Sequence, residues 1–476
     1  MTNHAQHAID EPIFAPVARF HQGRFGRMFR NIRPWDPGGG SEVENLDRIE
    51  KLAETVFKSG TAENPRIPAG YTFFGQFIDH DLTLDTTSSL DRLTDPERIH
   101  NFRTPRFDLD CVYGRGPKDQ PYLYEGGGTK MVLGKGAVVN EVDLPRFGGT
   151  ALIGDPRNDE NIIVSQVHLQ ILRLHNAMFD RLKQQDKYKP EDRNKEAFAE
   201  AQRLTRWHYQ WVVIHDFAEK ICGLDLIHEL LDQPFNKPAP EGQKPGKPKL
   251  KFYDFDDLPF MPIEFSVAGF RFGHSLVREK YQLNDVTAAP IFGKDDKDLS
   301  GGRILPAKHT IQWDKFVEFK GSAPPAASLK IDTTLAAPLM SLPDKVVDDA
   351  KKKLQNRSLA FRNILRGHRL GLPSGQAIAR RMGIPKAKIV ASAQELPLWV
   401  YILKEAEDFE KGEKLGPVGA RIVGETLVGL LAGDAFSYFS VEPGWEPDPA
   451  DGGRLFNLAK LLEIAGAPMT AADLPK

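Results

Sequence analysis

The sequence predicts a mainly α-helical fold, with one large helical body and few short strands. Three observations predict it. Apolar residues recur every three or four positions over several long segments, strand-like alternation is scarce and short, and no segment reads as a linker that divides the body. The chain has 476 residues, of which 41% are hydrophobic and 27% charged, and this balance is typical of a core-forming protein.

Composition excludes several classes of protein. The 63 basic and 65 acidic residues leave a net charge of −2, so no basic excess favours nucleic acid or an anionic membrane surface. Two cysteines, Cys111 and Cys222, cannot form a disulfide framework for a chain of this size. No apolar run is long enough for a membrane span, and residues 1–16 show no apolar secretory signal. We therefore expect a cytoplasmic protein, or one secreted by a signal-free route.

The first 40 residues are predicted to form an N-terminal arm. Five arginines (Arg19, Arg24, Arg27, Arg30 and Arg33) alternate with Phe20, Phe25 and Phe29, and the segment ends at a run of three glycines. Such a mixture can also bind nucleic acid, but an arm wrapped over the body is the favoured interpretation.

Helices follow in order along residues 41–476. Ser41 and Glu44 form a capping-box pattern that predicts a helix start, and Gly60 is the predicted stop. Further helical periodicity covers residues 161–185, 191–221, 342–365, 374–382, 397–411 and 417–432. Residues 234–249 are rich in proline and lysine and predict a solvated surface loop or insertion, whose role the sequence leaves open.

The first segment with chemical potential lies at residues 74–84. On a helix, Gln76, Asp79 and His80 stand at positions i, i+3 and i+4 and share one face. Asp81 points about 100° away from His80, toward a different neighbour. The alternative is a histidine on a half-exposed helix with solvated acids.

A second segment presents oxygen ligands. Thr104, Arg106, Asp108 and Asp110 alternate, so in an extended loop they face one way. Carboxylate, hydroxyl and carbonyl oxygens suit calcium, with Arg106 contributing only its carbonyl. The alternative is an ordinary acidic loop.

The third segment is Gly154–Asn161, directly before the apolar helix at 161. Arg157 and Glu160 are three residues apart and face the same way if the turn is helical. An acidic helix start that complements the helix dipole is the alternative.

Two later segments complete the set. His274 follows an apolar stretch, and Gly273 beside it allows close approach of a flat cofactor, although a core histidine bonded to a carbonyl is the alternative. Asn363 and Arg366 lie in a basic segment at residues 360–369, which as a bare pattern is a basic helix surface.

Together these five segments resemble the animal-type haem peroxidases of the peroxidase–cyclooxygenase superfamily. They occur in the family's order, and the resemblance covers roughly residues 40–470, with the segments at Gly419–Val423 and Gly429–Asp434 resembling the family's C-terminal helix. The small size and the absence of a disulfide set resemble a bacterial-type member. The resemblance implies an N-terminal arm at 1–40 and a haem peroxidase catalytic domain at 41–476.

The resemblance also implies roles for individual residues. The catalytic residues would be Gln76, His80 and Arg157, on the distal side of the haem. The residues that bind haem b would be Asp79 and Glu160 (as carboxylates able to form ester links), Arg271 and Arg366 (near the haem edge and its propionates), His274 (the iron ligand) and Asn363 (the partner of the other ring nitrogen of His274, which we expect to accept through its carbonyl). The calcium ligands would be Asp81, Thr104, Arg106 (by its carbonyl), Asp108 and Asp110.

Two departures from the family pattern matter. Asn161 stands where some members have a methionine linked to a haem vinyl group, so that link is absent and chloride oxidation is not expected. Asp110 stands where mammalian members have serine, and a further carboxylate should strengthen calcium binding.

The function implied is a haem-dependent peroxidase that responds to oxidative stress. It would reduce hydrogen peroxide through a ferryl intermediate and oxidise small donors such as phenols, with iodide, bromide and thiocyanate as further candidates. No nucleic acid or membrane partner is expected, and the oligomeric state stays open. One alternative is a fatty-acid dioxygenase of the same superfamily, which needs a tyrosine three residues before the proximal histidine, where this chain has Arg271. The other is a haem- and calcium-binding adhesion or scaffold protein, which would not need Gln76, His80 and Arg157.

Overall fold

Helices dominate the computed structural model, which describes residues 23–84, 100–134, 143–185, 193–232, 247–255, 258–293, 297–344, 346 and 357–474. The predicted mainly α fold is confirmed. The α-helices are α1 (Glu42–Val56), α2 (Gly70–Leu82), α3 (Asp110–Tyr113), α4 (Ile162–Leu182), α5 (Arg193–Val212), α6 (Glu219–Cys222), α7 (Leu224–Leu231), α8 (Ala337–Met340), α9 (Leu359–Arg369), α10 (Gly375–Arg381), α11 (Leu398–Glu410), α12 (Pro417–Ala432), α13 (Tyr438–Val441) and α14 (Leu458–Ile464).

The described strands are short, from two to six residues each. They are β1 (Gly23–Gly26), β2 (Lys58–Ser59), β3 (Glu63–Pro68), β4 (His100–Asn101), β5 (Arg146–Phe147), β6 (Thr150–Ala151), β7 (Met261–Pro262), β8 (Lys280–Gln282), β9 (Ala288–Pro290), β10 (Ala327–Leu329) and β11 (Thr334–Leu335). A three-stranded sheet has the order β4-β1-β7, and the remaining described strands pair two by two.

Most predicted helices are present, with three corrections to their bounds. The capping box at Ser41 and Glu44 is formed, but α1 ends at Val56 rather than at Gly60, because Phe57 turns extended and β2 pairs with β11. The segment predicted as one helix over 191–221 is α5, a π-helical stretch at Val213–Ala218, and α6.

The helix predicted over 342–365 begins only at Leu359. Ser358 caps it by accepting a hydrogen bond from the backbone N–H of Phe361. Residues 341–344 are turn and irregular, with a proline at 343, and residues 345 and 347–356 lie outside the described part.

The described part of the arm, from residue 23 onward, lies against the body. β1 pairs antiparallel with β4 and parallel with β7. The backbone N–H groups of Met28 and Phe29 donate to the buried carboxylate of Glu264 at 3.0 and 3.1 Å. Arg19 and Phe20 lie outside the described residues, as does the proline- and lysine-rich segment except for 247–249.

The core is built around long apolar helices. In α2, all residues except Gln76 and Asp79 are buried. α2 packs against α4 and against the 3-10 turn Phe270–His274. Within the part of the chain that is described, none of the helices combines the length and the apolar character needed to cross a membrane.

Candidate active site and calcium loop

His80 is held in one tautomer by a neighbouring amide. Its Nδ1 lies 2.9 Å from Oδ1 of Asn158, and Nδ2 of Asn158 lies 3.0 Å from Nδ1 of His168. Because the amide nitrogen donates to His168, its oxygen accepts, and Nδ1 of His80 must carry the proton. The lone pair of His80 is therefore on Nε2.

The environment of His80 keeps its ring neutral. The residue is 3% exposed, and burial together with the nearby positive charge of Arg157 lowers the pKa of His80 below its usual value of 6.5. Its Nε2 lies 3.8 Å from Oε1 of Glu160. A buried neutral histidine with Nε2 unprotonated is a base at neutral pH.

Gln76, Glu160 and Asn161 form a hydrogen-bonded group beside His80. The Gln76 amide donates to Glu160, and Nδ2 of Asn161 donates to Oε1 of Gln76 at 2.9 Å. The side-chain oxygen of Asn161, Oδ1, caps α4 by accepting from the backbone N–H groups of Ile163 and Val164. Asn161 thus fixes both the start of α4 and the orientation of Gln76.

Arg157 is placed by the 3-10 turn Pro156–Asp159, so the helical turn expected between Arg157 and Glu160 is present. Arg157 is 6% exposed. It donates from Nη2 to the backbone carbonyl of His80 at 2.8 Å and to Oδ2 of Asp155 at 2.7 Å. The structure therefore brings Gln76, His80, Arg157 and Glu160 together.

A second group lies around His274. Nδ2 of Asn363 lies 2.8 Å from Nδ1 of His274, and Oδ1 of Asn363 accepts from Nη1 of Arg271 at 3.3 Å. In this structure the amide nitrogen, rather than the expected carbonyl, faces His274, because the amide oxygen accepts from Arg271. A half-turn of the amide about Cβ–Cγ would present the oxygen to His274. Arg366 lies on α9 three residues beyond Asn363.

The space beside His274 suits a flat group. Gly273 and His274 are only half-buried although the segments around them are buried. A Cβ added at Gly273 would meet no atom within 4 Å. α2 packs against this turn, and Gln76 and Asp79 are the two residues of α2 that are only half-buried. An imidazole at His274 beside this open space suits a haem.

Three predicted calcium ligands converge. Carboxylate oxygens of Asp81, Asp108 and Asp110 lie within 4.8 Å of one another. Asp81 faces away from the His80 site, as predicted, and its Oδ2 is buried without a hydrogen-bond partner among the described residues. Burial and the charges of the other two acids raise the pKa of Asp81 well above its usual range, and burial raises the pKa of Asp110 to about 7. Such a cluster fits a divalent cation.

The rest of this loop differs from the uniformly extended form that we expected. Leu109 is left-handed, with φ of 56°, and Asp110 begins α3. This turn lets the N–H of Asp110 donate to Asp108 at 3.1 Å. The Thr104 hydroxyl donates to Asp108 at 2.7 Å, and the side chain of Arg106 lies 3.9 Å from Asp434, so only its carbonyl stays a candidate ligand.

Sequence reasoning missed the residues that orient the site. Asn158, His168, Asp155 and Arg103 all contact the predicted residues or their partners. Asp155 and Asn158 are close to Arg157 in the sequence, and this proximity could have identified them. Arg103 and His168 come near the site only through the tertiary fold.

Comparisons with known proteins identify the family of this chain. A family model described as animal haem peroxidase matches residues 89–397, more than half of the chain, and begins after α2. Thyroid peroxidase of Mus musculus is 23% identical over 390 residues, which cover 72% of this chain and 39% of that protein. The chain thus spans about two-fifths of the length of that relative.

Two solved structures share the fold. Peroxidase A from Dictyostelium discoideum aligns with a TM-score of 0.61 at 15% identity, covering 95% of this chain and 94% of that chain. A fatty acid alpha-dioxygenase of Oryza sativa aligns with a TM-score of 0.59 at 14% identity, covering 93% and 79%. With the family model matching more than half of its residues, the chain belongs to the animal haem peroxidase family.

Proposed function

We propose that this protein is a haem-dependent peroxidase that reduces hydrogen peroxide and oxidises small electron donors. Phenols are the first donors to test, followed by iodide, bromide and thiocyanate. The observation that carries the proposal is the locked tautomer of His80, which leaves Nε2 unprotonated on a residue whose backbone carbonyl accepts from the buried guanidinium of Arg157.

His80 and Arg157 divide the work on peroxide. Nε2 of His80 takes the proton of the peroxide oxygen that binds and returns it to the departing oxygen, which leaves as water. Arg157 is always cationic and stabilises the negative charge on the departing oxygen. The low pKa of His80 keeps this base available at neutral pH.

His274 would hold the haem iron, and Arg271 and Arg366 would lie near the haem edge and propionates. Asp79 and Glu160 would meet the haem methyl groups, where ester links can form. When bound, the haem supplies the iron centre at which the O–O bond breaks and from which electrons are drawn. The Asn363 amide would turn its oxygen toward His274, because an iron-bound histidine donates from its other nitrogen.

We also propose calcium at the loop, with Asp81, Thr104, Asp108, Asp110 and the carbonyl of Arg106 as ligands. The converging carboxylates and the unpartnered oxygen of Asp81 support it. Because Asp81 follows His80 directly, calcium would stiffen the end of α2 that carries the base.

The fold is shared with a fatty acid alpha-dioxygenase, so that activity is the second candidate. Arg271 distinguishes between the two activities, because it stands where dioxygenases need a tyrosine. Here its Nε donates to the carbonyl of Ser266 at 3.1 Å. An arginine cannot form the tyrosyl radical, and we therefore favour the peroxidase.

The first test replaces His80 by alanine. We expect the variant to keep the Soret band of the haem-loaded protein and to lose turnover of peroxide with a phenol by at least about 100-fold, the usual contribution of a general acid–base. His228→Ala, on α7, is the matched control and should turn over normally. Unchanged turnover in His80→Ala would sink the assignment, and a parent protein without a Soret band would remove the haem altogether.

A further inference from the structure

A buried chain of charges joins the acidic loop to Arg157. Arg103 lies between them and is 8% exposed. It donates from Nη1 to Oδ1 of Asp110 at 3.1 Å. From Nε and Nη2 it donates to Oδ2 of Asp155 at 3.0 and 2.5 Å. Its planar fork therefore contacts two carboxylates at once.

Asp155 connects Arg103 to Arg157. The carboxylate is fully buried. Its Oδ1 accepts from the N–H of Arg157 at 2.9 Å, and its Oδ2 accepts from Nη2 at 2.7 Å. Although burial disfavours its ionised form, Arg157 and Arg103 hold the pKa of Asp155 well below its usual range. Both the backbone and the guanidinium of Arg157 are thus positioned by a carboxylate that Arg103 helps to hold.

The backbones of the two segments also touch. A Cβ on Gly154 would lie 2.5 Å from the carbonyl oxygen of Cys111 and 2.7 Å from that of Asp110. Nη2 of Arg103 donates to the carbonyl of Gly154 at 3.1 Å. At Gly154 the backbone of the turn that carries Arg157 packs directly on the backbone of the acidic loop. A displacement of the loop backbone therefore displaces the turn.

We propose that Arg103 is a positioning residue that transmits the occupancy of the calcium loop to Arg157 through Asp155. The proposal rests on the proposed roles of Arg157 and of the loop. Without a cation, Asp110 competes with Asp155 for Arg103. Calcium satisfies Asp110, so Arg103 binds Asp155 more fully and Arg157 is held in one orientation.

The first test needs no haem. Hydrogen–deuterium exchange of the peptide that covers residues 154–161 is measured in haem-free protein with EGTA and with calcium. In the parent we expect calcium to slow this exchange by about fivefold or more, the lower range of coupled sites. In Arg103→Lys, which keeps the charge but has a single ammonium, the effect should fall to below about twofold while calorimetry still detects calcium binding.

Two further variants make the test decisive. Arg206→Lys is the matched control, because Arg206 donates to the carbonyl of Asp108 from Nε at 2.6 Å and lies over Tyr113, so it contacts the same loop without forming the bridge to Asp155 described above. It should keep the full calcium effect. Asp110→Asn removes the charge that competes with Asp155 for Arg103. In this variant the peptide at residues 154–161 should exchange slowly even with EGTA.

The second readout is cyanide affinity of the haem-loaded protein, since a bound anion reports the orientation of Arg157 without turnover. Calcium should tighten cyanide binding about fivefold or more in the parent, and little in Arg103→Lys. Three outcomes would each overturn the proposal. They are an equal calcium effect in the parent and in Arg103→Lys, no calcium effect in the parent, and no calcium binding. If calcium affects the parent as expected but the protein does not turn over peroxide, the coupling through Arg103 stands and the proposed peroxidase function is rejected. If the protein turns over peroxide but calcium has no such effect, the peroxidase function stands and the coupling is rejected.

Discussion

At the scale of single residues, the site depends on amides that face two ways. Asn158 accepts from His80 through its oxygen and donates to His168 through its nitrogen, so its orientation is fixed from both sides. Burial lowers the pKa of His168 to about 3, so this histidine stays neutral and its Nδ1 accepts a hydrogen bond from the Asn158 amide. The two contacts together set which nitrogen of His80 carries the lone pair.

Replacing Asn158 by alanine should therefore slow the reaction with peroxide. We expect kcat/KM for peroxide to fall by about 10–100-fold, the usual effect of losing a partner that orients a functional histidine. Stopped-flow kinetics at limiting peroxide measure it. Asn158→Asp retains an acceptor for Nδ1 of His80 and should recover part of the rate.

The control for this change is Asn457→Ala, which removes a cap of α14 and should reduce stability without slowing the reaction. A rate in Asn158→Ala equal to that of the parent would show that the tautomer is set elsewhere.

Some of these residues were within reach of sequence reasoning, and others were not. The i, i+3, i+4 spacing of Gln76, Asp79 and His80 follows from helix geometry alone, and it correctly turned Asp81 toward a different cluster. The orientation of the Asn363 amide depends on Arg271, 92 residues away, and no local pattern encodes such a competition.

At the scale of secondary structure elements, α11 and α12 meet at a buried carboxylate. Oε2 of Glu405 accepts from the N–H groups of Val418 and Gly419, in the first turn of α12, at 2.9 and 3.2 Å. Burial raises the pKa of Glu405 from 4.5 to about 8 despite these hydrogen bonds. The junction is therefore sensitive to pH.

The folded state holds the Glu405 proton more tightly than the unfolded state. The stability that this group contributes is thus complete below pH 4.5 and is lost as pH rises to about 8. Glu405→Gln keeps an acceptor for α12 and removes the titration. We expect the variant to gain in unfolding free energy relative to the parent as pH rises over this range, in urea titrations at several pH values.

Glu413→Gln, at a less buried position just after α11, is the control for removing one carboxylate from this region. A difference between Glu405→Gln and the parent that does not change with pH would contradict the assignment.

The elements also show where periodicity stops being informative. Apolar spacing located α4, α10, α11 and α12 to within a few residues, because each buries one face against the core. The same periodicity extended α1 to Gly60, because it carries no information on the pairing of residues 58–59 with β11, which lies 276 positions later in the chain. Pairing between distant segments decides such ends, and a single sequence does not reveal it.

At the scale of the whole molecule, the arm fastens together the two segments that carry His274 and Asn363. Its backbone holds Glu264, ten residues before His274. Arg27 donates to the carbonyls of Leu370 and Gly371 at 2.8 and 2.9 Å, directly after α9. The arm therefore helps to fix the distance between the predicted iron ligand and its partner.

Arg27→Met should loosen this side of the site. We expect a loss of about 1–2 kcal/mol in unfolding free energy for two hydrogen bonds to carbonyls, together with faster transfer of haem to an acceptor protein. Calcium affinity should be unchanged, since the acidic loop lies elsewhere. Arg30→Met, at an exposed position of the same arm, is the control, and equal haem loss from both variants would contradict the idea.

The pairing of β1 with β7 has a consequence for the order of events during synthesis. Met28 and its partner Glu264 are 236 positions apart, so at a synthesis rate of roughly 5–20 residues per second the arm waits on the order of 10–50 s for its docking surface. Until residue 252 is made, Phe29 lacks Phe252, the ring that it packs against at 5.5 Å in the folded protein. The arginines at 24, 27, 30 and 33 surround Phe25 and Phe29 with like charge, and charges of this kind discourage association of exposed apolar segments. The alternation of arginine and phenylalanine thus suits a segment that must stay soluble while it waits.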